Sequence, residues 1–227
     1  LGRLGSHGAG HLDRRRQRCN RRRSGEGDAG VHGARTGARG TDHTRVGHLF
    51  VGTAPLPAAR ATFERARTLY GQLQRASTGP KQRFFRHLSN EISRALAETE
   101  YYAARLDAAL AAAHDSIDGF TSLTLEMPYL ADMKAHLGES YLLLARVLQG
   151  QGDLAAALAA LEKSRGILLP IHEADPNHSR WSTLLAREQL ALARISRQRG
   201  ELAAAQRALS LADTLTAGVT SESLLLT

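Results

Sequence analysis

The sequence predicts an all-α protein, an α-solenoid of antiparallel helix hairpins, and three observations carry that expectation. One unit is written twice: Gly152-Asp153-Leu154-Ala155-Ala156-Ala157 returns 48 residues later as Gly200-Glu201-Leu202-Ala203-Ala204-Ala205. From Pro57 onward, apolar residues recur at steps of three and four, the period of a helix with one buried face. No stretch alternates apolar and polar residues as a half-buried strand does. Helix, Gly-containing turn and helix, repeated in tandem, imply a stack in which each hairpin buries its apolar face against its neighbours.

Residues 1–53 precede this order. They carry no helix or strand period, and twelve of the 21 glycines fall within positions 1–59. Eleven Arg stand against four acids over positions 1–59, a balance of +7 out of the chain's +8. So few large apolar side chains cannot offset the entropy of ordering the backbone, and disorder is expected. The runs Arg14-Arg15-Arg16 and Arg21-Arg22-Arg23 could form a basic arm for nucleic acid. Patternless Gly, Arg, His and Ala is also what a GC-rich gene yields when translated out of frame, and that reading is preferred. The opening Leu1 fits a fragment.

Seven helices are expected in the repeat domain, residues 54–216, followed by a tail at 217–227. Pro57 suits a first turn, where its missing N–H costs nothing; Ala59, Phe63, Ala66 and Leu69 follow on one face. Ser77-Thr78-Gly79-Pro80 separates this helix from the next, whose face is Phe85, Leu88, Ile92 and Ala95. A turn is expected around Glu98–Glu100, then a helix with Tyr102, Leu106, Ala109, Leu110 and Ala113, stopped by Asp118-Gly119. Leu130, Met133, Leu137, Tyr141, Leu144 and Leu148 give the clearest stripe. Leu142, Leu143 and Val147 add a second flank, so two neighbours should pack on this helix. Leu154, Leu158, Leu161 and Leu168 carry its partner as far as Pro170. After a loop in which Asp175 or Ser179 could cap, Trp181, Leu185, Leu192 and Ile195 form the sixth face. Leu202, Ala205, Leu209, Ala212 and Leu215 form the last.

These residues resemble tetratricopeptide repeats. Gly152, Ala157, Leu161 and Ser164 follow that family's second-helix pattern, as do Gly200, Ala205, Leu209 and Ala212. Leu144-Ala145 and Leu192-Ala193 take its Leu–small positions, and Ala59, Phe63 and Ala66 look like the second helix of an earlier repeat. The 48-residue period exceeds the family's usual ~34 and is similar to extended repeats appended to bacterial signalling proteins, serine/threonine kinases among them. Over 80–120 no register is assigned. The resemblance implies a non-enzymatic scaffold that binds a protein or peptide, with the regulatory C-terminal part of a larger signalling enzyme as the alternative. No kinase signature is present in this chain.

Residues 60–227 are nearly neutral, so the high pI of about 10.3 says little about the scaffold's partner. The lone Cys19 cannot form an internal disulfide, which fits a cytoplasmic protein. The longest unbroken apolar run, Leu154–Leu161, is far short of the ~20 residues of a membrane span, so no membrane partner is expected. No cofactor, metal or catalytic residue is expected either. Gly30, Gly33, Gly37 and Gly40 lack the strand and helix of a phosphate loop. His172, Glu173, Asp175 and His178 match no zinc spacing, and Trp181 reads as packing. One charge pattern remains. Arg187, Arg194 and Arg197 recur at seven and three, on a face distinct from the Leu185–Leu192–Ile195 stripe. In the family the first helix of each repeat lines the groove, which would gather Leu142 and Arg146 with Arg187, Leu190, Arg194 and Arg197. Such a groove suits an acidic peptide; nucleic acid is not the expected partner.

Overall fold

The computed structural model describes residues 56–225 of the chain, with side chains as far as Ala217. The expectation of disorder for residues 1–53 lies outside these residues. Within them the chain forms seven helices and no strand: α1 (Leu56–Arg75), α2 (Gly79–Tyr102), α3 (Leu106–Glu126), α4 (Ala131–Gln151), α5 (Leu154–Ala174), α6 (Ser179–Gln198) and α7 (Leu202–Leu225). Among the described residues, no helix is long and apolar enough to cross a membrane.

Helices α2 and α3, α4 and α5, and α6 and α7 pack as antiparallel hairpins, and α4 also touches α2 on one side and α6 on the other. This is an α-solenoid. Helix α4 lies at its centre and is buried nearly all round from Ala135 to Ala145, with Leu142, Leu143 and Val147 as the expected second flank. Helix α1 packs on α2 as α3 packs on α4, so it fills the place of a second helix from an earlier hairpin.

The 48-residue period is built into the turns. Ala104, Gly152 and Gly200 stand 48 residues apart, and all three have positive φ, at 56°, 86° and 78°. In each, the next residue's N–H reaches back to a carbonyl five residues earlier: Arg105 to Glu100 at 2.9 Å, Asp153 to Leu148 at 3.0 Å, Glu201 to Ser196 at 2.8 Å. This is the Schellman ending of a helix. The first copy is concealed in the sequence because Ala104-Arg105 replaces the Gly-acid pair, while Leu106-Asp107-Ala108-Ala109 continues the unit. The register over 80–120 is thereby fixed, with α2 and α3 as the first and second helices of one repeat. Asp153 adds a side-chain cap, accepting from the Ala156 N–H at 2.9 Å.

Several expected boundaries are corrected. The turn lies at 103–105 rather than at Glu98–Glu100, because those acids are bound by arginines and do not break the helix: Glu98 by Arg146, Glu100 by Arg60 and Arg105. Tyr102 consequently ends α2 on the surface rather than opening a buried face. Asp118-Gly119 does not end α3. Gly119 sits where α3 crosses α2, and a Cβ there would fall 2.1 Å from the Asn90 side chain, so the glycine serves close approach. Gly138 does the same between α4 and α5, against Leu168 at 2.6 Å. Pro170 lies inside α5 instead of ending it. Its ring faces solvent, and the residue one turn earlier is Gly166, beside which a Cβ would meet nothing. A helix tolerates the lost hydrogen bond best on such an open face. Helix α6 begins at Ser179 after His178, with no side-chain cap from Asp175 or Ser179. The buried stripe of α7 is Ala205, Ala208 and Ala212, whereas Leu202 and Leu209 point outward. That helix also continues past 216 through the expected tail.

Candidate functional site

The first helices of the three hairpins, α2, α4 and α6, share one face, and a groove of about 250 Å³ opens along it. Leu142, Arg146, Arg187, Leu190 and Arg194 all line it, so five of the six residues selected from the sequence meet in one place. Arg197 does not line it. It lies in the last turn of α6, where Gln149 of α4 and Gln198 join across the hairpins at 3.0 Å. Leu142 forms the floor with Leu143 and Ala191, all buried, while Leu190 remains partly exposed. His172, Glu173, Asp175 and His178 form no metal-binding group, and Trp181 is core, covered by His178 stacked at 4.1 Å.

The whole contribution of α2 escaped the sequence reading: Arg94, Glu98 and Tyr102. The 48-residue period is the signal that could have found them. Glu98, Arg146 and Arg194 occupy one position in successive repeats, as do Glu91, Glu139 and Arg187. Residues 48 apart meet across the stack: Arg146 and Glu98 at 3.3 Å, Arg187 and Glu139 at 3.6 Å, Arg180 and Asp132 at 2.8 Å.

The groove is therefore less positive than its arginines alone imply. Four arginines face two glutamates there. Arg146 donates to the Tyr102 hydroxyl at 3.2 Å, and its guanidinium lies 4.9 Å from the centre of the Tyr101 ring. Burial opposes its charge, but Tyr102 and Glu98 outweigh that and raise its pKa further, so it is always cationic. Glu139 is 8% exposed and gathers Arg94 at 2.8 Å, Arg180 at 3.5 Å and Arg187 at 3.6 Å. Burial by itself would raise its pKa; Arg94, His136 and Arg180 reverse this and hold the carboxyl well below the ordinary range. Arg194 is different. It is exposed at the rim and, among the described residues, forms no ion pair.

The arrangement offers a carboxylate-binding guanidinium beside an apolar wall, with further guanidinium groups held in place by internal acids. Compared with known proteins, the chain matches no family model and no curated protein.

Proposed function

We propose that this protein is a non-enzymatic interaction scaffold of the tetratricopeptide-repeat kind, and that the groove across α2, α4 and α6 holds an extended acidic segment of a partner protein. One observation carries the reading. Arg194 stands where its equivalent Arg146 binds Glu98, yet among the described residues no acid pairs with it. A ligand carboxylate placed on Arg194 would continue the ladder by one step. Arg suits the task because its planar fork pairs with a carboxylate through two hydrogen bonds. Leu190 and the wall beneath it supply apolar contact between charges, so acidic residues interspersed with leucine or phenylalanine fit best.

The test is a fluorescence-anisotropy titration with a labelled peptide of alternating acidic and leucine residues, against the same peptide with Gln and Asn for Glu and Asp. The acidic peptide should bind at least tenfold more tightly, with an advantage that shrinks between 50 and 300 mM salt, as about expected for charges at a wet rim. Equal binding of both peptides would remove the charge-recognition reading.

A further inference from the structure

A second group of polar side chains lies one turn along α2 and α4 from the groove. His87 and Glu91 stand four residues apart on α2 and therefore share a face. His136 on α4 faces them. Its Nδ1 is 3.5 Å from one Glu91 oxygen, His87 Nε2 is 3.9 Å from the other, and one donor atom from each residue falls within 4.8 Å of the other two. We propose that His87, Glu91 and His136 bind a divalent first-row transition-metal ion, with zinc the probe of choice, bridging α2 and α4.

The donor set argues for that class of ion. Two imidazole nitrogens and one carboxylate oxygen suit zinc and its neighbours, whereas magnesium and calcium favour oxygen alone. Bonds of ~2.1 Å in a tetrahedral shell place donors ~3.4 Å apart. The His136–Glu91 contact is already at that separation, and the widest gap, within 4.8 Å, must close by up to ~1.4 Å.

Some groups are fixed and others can move. Both rings rest on the buried Phe120: His136 stacks at 5.1 Å and 12°, and His87 meets its edge at 5.8 Å. Glu139 also lies 3.5 Å from His136 Nδ1, the nitrogen that faces Glu91, so binding the ion exchanges the Glu139 contact for a metal bond. The His87 and Glu91 side chains keep 18% and 16% of their surface exposed, which leaves them room to rotate and a path for the ion. Three protein donors leave a coordination position for water.

Electrostatics permit the ion. Arg94 is 3.6 Å from Glu91, and Arg180 lies 3.4 Å from both His136 nitrogens. Both cations are also held by acids, Arg94 by Glu139 and Arg180 by Glu139 and Asp132. With Arg187 also on Glu139, three carboxylates balance three guanidiniums, and Arg180, already bound to Asp132, can turn away from His136 as the ion enters.

The experiment is isothermal titration of the full chain with Zn²⁺ alone, alongside melting curves with and without the metal. Ten histidines in the chain make controls necessary. The wild type should take up one ion at this site, and its Tm should rise with zinc. His87→Ala and Glu91→Gln should each weaken that uptake at least tenfold and cancel the Tm rise, while the double change His172→Ala, His178→Ala preserves both. His136→Ala removes a ring stacked on the core and could unfold the protein, so the two α2 variants decide. No uptake at 100 μM zinc, or uptake changed less than tenfold by both α2 variants, overturns the proposal.

Discussion

Arg146 and Arg194 hold the same place in successive repeats and have opposite surroundings. Arg146 is closed in by Glu98, Tyr101 and Tyr102 from α2. Among the described residues Arg194 meets no acid, because the position 48 residues before it holds Arg146 where Arg146 itself has Glu98. The contrast separates two roles that a run of arginines conceals. In the middle of the stack an arginine on the first-helix face ties one repeat to its neighbour. At the rim the same residue is left available. Charge on a repeat protein's groove is therefore informative only after the internal pairs have been subtracted.

The closed side should be the sensitive one. Glu139→Ala leaves Arg94, Arg180 and Arg187 facing one another without their shared acid. It should cost ~3 kcal/mol, read from urea denaturation, since removing one partner of a buried ion pair strands the others. Arg194→Ala should change stability by less than ~0.5 kcal/mol, as exposed substitutions do. Equal losses would erase the distinction between the two sides. Arg187 belongs to both, lining the groove and touching Glu139, so reversing its charge tests folding and binding together and is a poor probe of either.

The open side is still packed through its small residues. Ala205 is buried between α6 and α7, and Gln206 beside it is exposed. Ala205→Leu should overpack that contact and destabilise by ~2 kcal/mol, with Gln206→Leu nearly silent. If both melt alike, the register of the last hairpin is wrong.

The third effect is a gain. Ala104 holds the left-handed conformation that Gly152 and Gly200 adopt without strain. Ala104→Gly should stabilise by ~1 kcal/mol, and Gly152→Ala should destabilise by about the same amount. Thermal melts of the two variants check the sign. Matching signs would mean the three turns are not equivalent.

What was legible in the sequence follows from which residues carry a signal alone. Helical period survives wherever one face is buried, so the all-α class, the two Gly-containing turns and the α4 stripe could be read. Glycine and proline were misread where their use was spatial: Gly119 admits Asn90, and Pro170 lies on an exposed side of α5 beside Gly166. The first repeat was hidden because its turn uses Ala104 and Arg105. The groove arginines of α6 were legible by spacing, but their charge balance was not. Glu98 and Arg94 enter the groove from α2, and the contacts with partners 48 and 45 residues away became visible only once the fold aligned the first repeat, hidden by its atypical turn, with the other two. The same holds for His87 and His136.

The smallest effect concerns Glu188, 2% exposed on α6 with an amide hydrogen bond from Gln189 at 2.9 Å. Burial raises its pKa, outweighing the Gln189 hydrogen bond and the attraction of Arg165. Its folded pKa thus exceeds the unfolded one, so stability is highest with the group protonated and is lost as pH rises through the folded pKa. Glu188→Gln should melt above the wild type at pH 8, with the gap closing toward pH 4. A gap that widened on acidification would reverse the sign.

The most direct measurement of the account is the affinity of the alternating acidic peptide for Arg194→Glu, beside Arg207→Glu on the exposed side of α7 as a charge-matched control. Arg194→Glu should weaken binding at least tenfold, about 1.4 kcal/mol, with an unchanged Tm, and Arg207→Glu should bind as the wild type does. Undiminished binding by folded Arg194→Glu would contradict the claim that the unpaired end of the arginine ladder is where a partner docks.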